Sequence, residues 1–217
     1  PKEEFTIGIE EDVTNLSLAP VDIHVDADYT TCLFYGLGAD GTVGANKSTV
    51  KIIGNNTDLY SQAYFAYDSK KAGGVTRSHL RFGPTPIHSP YYINKADFIS
   101  SSQESYAFKF DMVRDLKDGG TFLLNTTMSA DEVADKLPNR MLKGLADKHA
   151  KFFIINANAI ARETHMGSHT NTILQSAFFK LNEQIMPYSK SLQLMEESAR
   201  TTYARKGEDV VDNNIAA

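Results

Sequence analysis

The chain has 217 residues, 41% of them hydrophobic, with a formal net charge of −5 and a pI near 5.7. That length and apolar content suffice for one packed domain, while an acidic balance without a basic tail excludes a general attraction to nucleic acid or to an anionic membrane. A single cysteine, Cys32, excludes an intrachain disulfide and any cysteine-held zinc or iron–sulfur site built by this chain alone, so the cytoplasm or another reducing compartment is expected.

In chain order, Pro1 to Phe5 carries neither an initiator Met nor the apolar core of a signal peptide. No run approaches the roughly 20 apolar residues of a spanning helix, so the chain reads as a soluble piece cut from something longer. Residues 1–30 are expected to be an arm or linker: Phe5 to Ile9 is extended in pattern, and the acidic stretch with Asp22, Asp26 and Asp28 lacks helical periodicity. Residues 31–217 are expected to form one domain.

Thr31 to Tyr35 is a short apolar run ending in a glycine-rich turn, and Val43 to Gly54 follows with Val43, Val50 and Ile53 at helical spacing. Further strand-like runs are Gln62 to Tyr67, Phe98 to Ser100, Thr121 to Leu124 and Lys151 to Ile155. Between them, Ala72 to Pro84 is dense in polar, basic and turn-forming residues. It is expected to be a long functional or interfacial loop, with His79 and Arg81 available to a phosphate, a carboxylate or a neighbouring domain. Ile173, Leu174, Ala177, Phe178 and Leu181 share one helical face, and Pro187 opens a second helix with Leu192, Met195, Ala199 and Thr202 in step. The charge-rich tail after Tyr203 is expected to be a frayed or docking terminus. The alternation predicts an α/β fold: a doubly wound, Rossmann-like, largely parallel sheet with helices on both faces and a helical C-terminal third.

Gly36-Leu37-Gly38-Ala39-Asp40-Gly41 satisfies G-x-G-x-x-G between the first strand and a helix. Glycines there let the backbone turn sharply and approach a ligand, and the unpaired amides of the helix start favour a phosphate. A tight turn with no ligand satisfies the same pattern. An NAD site usually ends its second strand with an acidic residue; Asp68 stands there, but Lys70 and Lys71 follow, which favours a ligand with an additional ribose phosphate, coenzyme A or NADP. A solvated lysine pair is the plainer account.

His165 and His169 lie four apart, but Gly167 and Ser168 between them argue for a loop, and no metal site is expected. Ser78 lacks a nucleophile context and Cys32 falls within an apolar strand, so no catalytic residue is assigned.

Tyr35 to Lys47, Tyr64 to Thr76, Ser78 to Gly83, Pro86-Ile87, Ile93 to Phe98 and Gly119 to Phe122 together resemble the gamma domain of the single-chain pyruvate:ferredoxin/flavodoxin oxidoreductases. Asn171 to Gln175, Lys206 to Glu208 and Phe5 to Thr14 extend the resemblance over essentially the whole chain. It implies a domain that binds and positions coenzyme A for conversion of pyruvate to acetyl-CoA and carbon dioxide, inactive by itself. It further implies that thiamine diphosphate and [4Fe-4S] clusters belong to other domains of a homodimeric parent, and that electrons pass to ferredoxin or flavodoxin.

By the family pattern, the coenzyme A contacts fall on Gly38, Ala39, Asp40, Gly41, Thr42, Lys70, Lys71, Asn171 and Asn214. Two departures stand out: Ser100-Ser101-Ser102-Gln103 replaces a cysteine- and histidine-bearing segment, and His165 to Thr170 lacks a glycine pair and an arginine. An NADP-binding oxidoreductase domain and a ligand-free bridging domain are the competing readings.

Overall fold

From Thr30 to Leu37 successive side chains are buried on alternate faces, Cys32 and Phe34 on one and Leu33 and Tyr35 on the other, as in a strand covered on both sides. In the computed structural model, which describes residues 3–9, 13–19, 21, 28–68 and 73–217, this strand is β1 (Thr30–Leu37). The chain continues through α1 (Thr42–Asn56), β2 (Tyr60–Tyr67), β3 (Val75–Gly83), β4 (Ala96–Ser101), α2 (Tyr106–Lys109), β5 (Leu116–Asn125), α3 (Ala130–Lys136), α4 (Asn139–Asp147) and β6 (Lys151–Ile155). The remainder is α5 (Ala157–Glu163), α6 (Asn171–Leu181), α7 (Tyr188–Tyr203) and α8 (Glu208–Ala216).

The strands form one six-stranded sheet in the order β2-β3-β1-β4-β5-β6. The β1–β4, β4–β5 and β5–β6 pairs are parallel, whereas β3 runs antiparallel to both β1 and β2. The expected α/β class with a largely parallel sheet therefore stands.

The stretch expected as a long loop after the second strand is corrected: Val75–Gly83 is β3, hydrogen-bonded on both sides. Only residues 68–74 separate β2 from β3. That is too short for a parallel crossover, which needs a dozen or more residues, so the chain must turn back as a hairpin. The strand escaped periodicity because both its faces carry polar residues that are nonetheless buried: Thr76 and Ser78 on one, His79 and Arg81 on the other.

One face of the sheet packs on α1, α5, α6 and α7 through Phe34, Phe82, Phe98 and Phe178, whose rings meet edge-on or tilted. The other packs Leu33, Ile99, Phe122 and Leu124 against α2, α3 and α4. Helix α3 starts where Ser129 and Glu132 form a reciprocal capping box. The tail after Tyr203 ends in α8, with Val211 and Asn214 buried. Near the start, Thr6 makes a bridge to Ser17; Asp22 and Asp26 of the acidic stretch lie outside the described residues. No helix among the described residues is long and apolar enough to cross a membrane.

Candidate functional site

From β1 the chain crosses through α1 to the β2–β3 side of the sheet, whereas β4 and its successors lie on the other side of β1. The C-terminal ends of β1 and β4 thus flank a reversal of strand order, where open α/β sheets take their ligands. The glycine loop and the Ser101–Glu104 turn meet there. Ser102 donates its amide to the Tyr35 carbonyl at 2.9 Å, and the Tyr106 hydroxyl reaches the Gly36 carbonyl at 3.3 Å.

The loop is held by its own acid. Asp40 Oδ2 accepts from the Leu37 amide at 2.8 Å and from Ser102 Oγ at 2.7 Å, and Oδ1 accepts from the Thr42 amide at 2.8 Å. One of the N–H groups exposed at the start of α1 is therefore already engaged by an internal carboxylate. Val43 and Gly44 are the other first-turn amides without an intrahelical acceptor. Gly41, at φ +87°, and Ala39, at φ +77°, are both left-handed, which the loop's sharp reversal requires. The turn between β2 and β3 joins the loop as well, because the Gly38 amide donates to the Gly74 carbonyl at 2.8 Å.

A second helix start abuts the first. Asn171 opens α6, and a Cβ placed on Gly41 would stand 2.9 Å from Asn171 Cγ. Glycine is required at position 41 on two counts, conformation and space. From this junction a cleft of about 310 Å³ runs between α1, α6 and α7, lined by Gly41, Gly44, Asn171, Thr172, Tyr203 and Lys206. Lys206 lies over the Tyr203 ring, 5.4 Å from its centroid, and supplies a cation to the same cleft. Behind the loop, the buried Asn46 lines a small, mostly apolar cavity with Phe34, Thr42, Ser102, Gln175 and Phe178, and its Nδ2 has no partner among the described residues.

Of the residues singled out from sequence, the fold thus brings together the glycine loop and Asn171. Lys70 and Lys71 lie outside the described residues, although Asp68 and Gly74, close on either side of them, are described. Asn214 does not line the cleft: buried on α8, it accepts from Thr172 Oγ1 at 3.1 Å and donates to the Val210 carbonyl at 2.8 Å, pinning α8 to α6. Lys206 was missed as a site residue, though the word Lys206-Gly207-Glu208 was a signal available for it.

His79 and Arg81 sit away from the cleft. Arg81 donates to Gln62 Oε1 at 2.9 Å and to the Tyr91 carbonyl at 2.7 Å, and lies 5.0 Å from the Tyr91 ring centroid. His79 accepts the Ile93 amide on Nδ1 at 3.0 Å and stacks on Tyr92 at 4.7 Å. Burial, reinforced by Arg77 and Arg81, lowers its pKa to about 4, so it is neutral at pH 7. His165 and His169 fall in the loop between α5 and α6, where His169 Nδ1 meets the Met166 carbonyl at 3.1 Å. Cys32 is fully buried, and burial pushes its thiol pKa well above the usual value.

A protein-family profile described as "Pyruvate ferredoxin/flavodoxin oxidoreductase" matches residues 31–217. The chain belongs to this family. It is 51% identical over 220 residues to a pyruvate-flavodoxin oxidoreductase of Enterobacter agglomerans, a match that covers all of this chain and 19% of that protein. The fold is shared with the pyruvate oxidoreductase subunit PORC of Thermotoga maritima, at TM-score 0.68 and 19% identity over 88% of this chain and 93% of that one. It is also shared with a 2-oxoglutarate:ferredoxin oxidoreductase of Magnetococcus marinus, solved with 2-oxoglutarate, coenzyme A and succinyl-CoA bound. There the TM-score is 0.64 and the identity 16%, over 88% of this chain and 30% of that one.

Proposed function

We propose that this chain is the coenzyme-A-binding domain of a longer pyruvate:ferredoxin/flavodoxin oxidoreductase, where it binds and positions coenzyme A for conversion of pyruvate to acetyl-CoA and carbon dioxide. The observation that carries the reading is the junction of two helix N-termini, at Gly41 and Asn171, on a cleft that Lys206 also lines. Backbone N–H groups, two positive dipole ends and a lysine form a phosphate-binding arrangement, and the left-handed glycine allows close approach. At about 310 Å³ the cleft suits the nucleotide end of coenzyme A, with the pantetheine arm leading out of it.

In this reading the first-turn amides of α1, Asn171 and Lys206 hold phosphates, with Lys70 and Lys71 supplying further charge. Asp40 acts as the brace that keeps the loop open at the right width. The domain's contribution is positioning: a tethered nucleotide raises the effective concentration of the thiol at the reacting centre. Asn214 acts on the cleft through Thr172. Thiamine diphosphate and [4Fe-4S] clusters belong to other domains, since a cluster needs several thiolates and this chain has only the buried Cys32. The parent enzyme is a homodimer in a reducing compartment that delivers electrons to ferredoxin or flavodoxin.

Calorimetric titration of the full-length enzyme with coenzyme A, dephospho-coenzyme A and NADPH tests this. Saturable binding of coenzyme A is expected, weakened about 10-fold or more by loss of the 3′-phosphate or by Lys70→Ala/Lys71→Ala, and falling with added salt. Preference for NADPH would establish the nicotinamide reading instead, and no binding of any of the three would leave a bridging domain.

A further inference from the structure

We infer that the free edge of β2, with the adjoining β2–β3 face and the 84–95 loop, is the surface on which another domain of the same long polypeptide docks; this rests on the reading of the chain as one domain of a longer enzyme. Three observations converge on it.

The first is the edge. β2 is the outermost strand on its side, so one row of its N–H and C=O groups faces away from the sheet. Proteins blunt such an edge with lysine, proline, a bulge or a very short strand. β2 has none of these: its eight residues, Tyr-Ser-Gln-Ala-Tyr-Phe-Ala-Tyr, carry no charge and no proline, and pair with β3 in unbroken register. The opposite edge strand, β6, is five residues long and begins with Lys151.

The second is the missing layer. Tyr60, Gln62 and Tyr64 of β2 lie in register with Gly83, Arg81 and His79 of β3, and Arg81 and His79 in turn with Thr31 and Leu33 of β1, on the face that α2, α3 and α4 cover farther along. Those helices pack over β1, β4 and β5. Over Tyr64, His79 and Arg81 the contacts come from the loop, through Tyr91, Tyr92 and Ile93, whereas Val75 at the start of β3 joins the cluster under the helices.

The third is composition. Tyr60, Tyr64, Tyr91 and Tyr92 are 50%, 45%, 49% and 52% exposed, and Arg77 is exposed on the same face. Tyrosine and arginine dominate the energetic centres of protein interfaces, because they bring large contact area with few rotamers and several donors.

The occupant follows from the polypeptide itself. The matched relative is about five times longer than this chain, which accounts for 19% of it, so most of the protein must pack against this domain somewhere. Among the described residues Arg77 has no carboxylate partner, so the docking surface offers carboxylates opposite it and backbone groups or a strand opposite β2.

Residue-resolved amide exchange on the full-length enzyme tests the inference. The β2 amides that point away from β3 are expected to exchange at least about 100-fold more slowly than unstructured amides, a protection that Tyr64→Lys relieves while α1 and β5 keep theirs. Free exchange of those amides in the wild type, or protection unchanged by Tyr64→Lys, would overturn it. Protection lost on dilution to monomers would also overturn it, assigning the surface to a second copy.

Should Tyr64→Lys unfold the domain, maleimide labelling of Tyr60→Cys replaces it, with Lys143→Cys on the exposed face of α4 as reference. Labelling about 10-fold slower at position 60 supports docking, and equal rates overturn it. Coenzyme-A-dependent pyruvate oxidation by the same preparation separates the two readings. Activity with an open edge refutes docking alone, and a protected edge without activity refutes the proposed function alone.

Discussion

The two sides of the sheet are built on different terms. Strands β1, β4, β5 and β6 are parallel, helices join β4 to β5 and β5 to β6, and their largest buried side chains are apolar, Phe98, Ile99, Leu116, Phe122 and Leu124, beside the smaller polar Ser100, Ser101 and Asn125. On the β2–β3 side the chain folds back as a hairpin whose inner strand buries Thr76, Ser78, His79 and Arg81. Three atoms there, Thr76 Oγ1, Ser78 Oγ and His79 Nε2, have no hydrogen-bond partner among the described residues. An unpaired buried polar atom costs about 1–3 kcal/mol, which the hairpin offsets with its two-sided ladder, with Arg81 and with the buried Leu80 and Phe82. One half is a parallel scaffold between two helical layers, and the other buries polar groups and ends in the uncharged edge strand β2.

The largest effect expected from this contrast is on the scaffold side. Phe178 of α6 touches Phe34, Phe82 and Phe98 together, so Phe178→Ala should cost about 3–5 kcal/mol in denaturant unfolding. Arg81→Met, which leaves Gln62 and the Tyr91 carbonyl without their donor, should cost less, about 2–3 kcal/mol. A larger loss at Arg81 than at Phe178 would break the comparison, because the hairpin would then be the stability centre.

Protonation gives a smaller effect confined to the hairpin. The His79 pKa lies near 4 in the folded chain against about 6.5 ordinarily. As the pH falls from 6.5 towards 4, the unfolded chain takes up a proton there that the folded chain refuses, so stability declines across that window and is unaffected above it. The loss should reach about 1–3 kcal/mol, and His79→Gln should flatten this part of the stability–pH curve. An unchanged curve would mean that carboxylates elsewhere set the acid limit.

The smallest change in stability comes with the most local change in function. Gly41→Ala forces a side chain into a left-handed position and against Asn171, at a cost of about 1–2 kcal/mol. Coenzyme A affinity should nonetheless fall about 10-fold or more, because the two helix starts can no longer abut. Weakened stability with intact affinity would move the ligand away from this junction.

The chain's own residues made most of the parallel part legible. Thr31 to Tyr35 and Lys151 to Ile155 are apolar runs of strand length, and the stripe on 173–181 recurs at the helical period. The glycine loop was legible for the same local reason: glycines spaced so closely after a strand serve a turn and little else. β3 was not legible, since its periodic face is polar and becomes buried only when β1 and β2 close on either side of it. Nor was the role of Asp40, whose partners Leu37 and Thr42 are local but whose third, Ser102, lies 62 residues away. Sequence by itself determined what short-range physics governs, namely the α/β class, the loop and the helical stripes. Only the tertiary structure decided that β3 is a strand, that Gly41 rests on Asn171, and that Asn214 turns inward to Thr172. Each of those depends on which distant segment removes water from a polar group, and no local pattern carries that information.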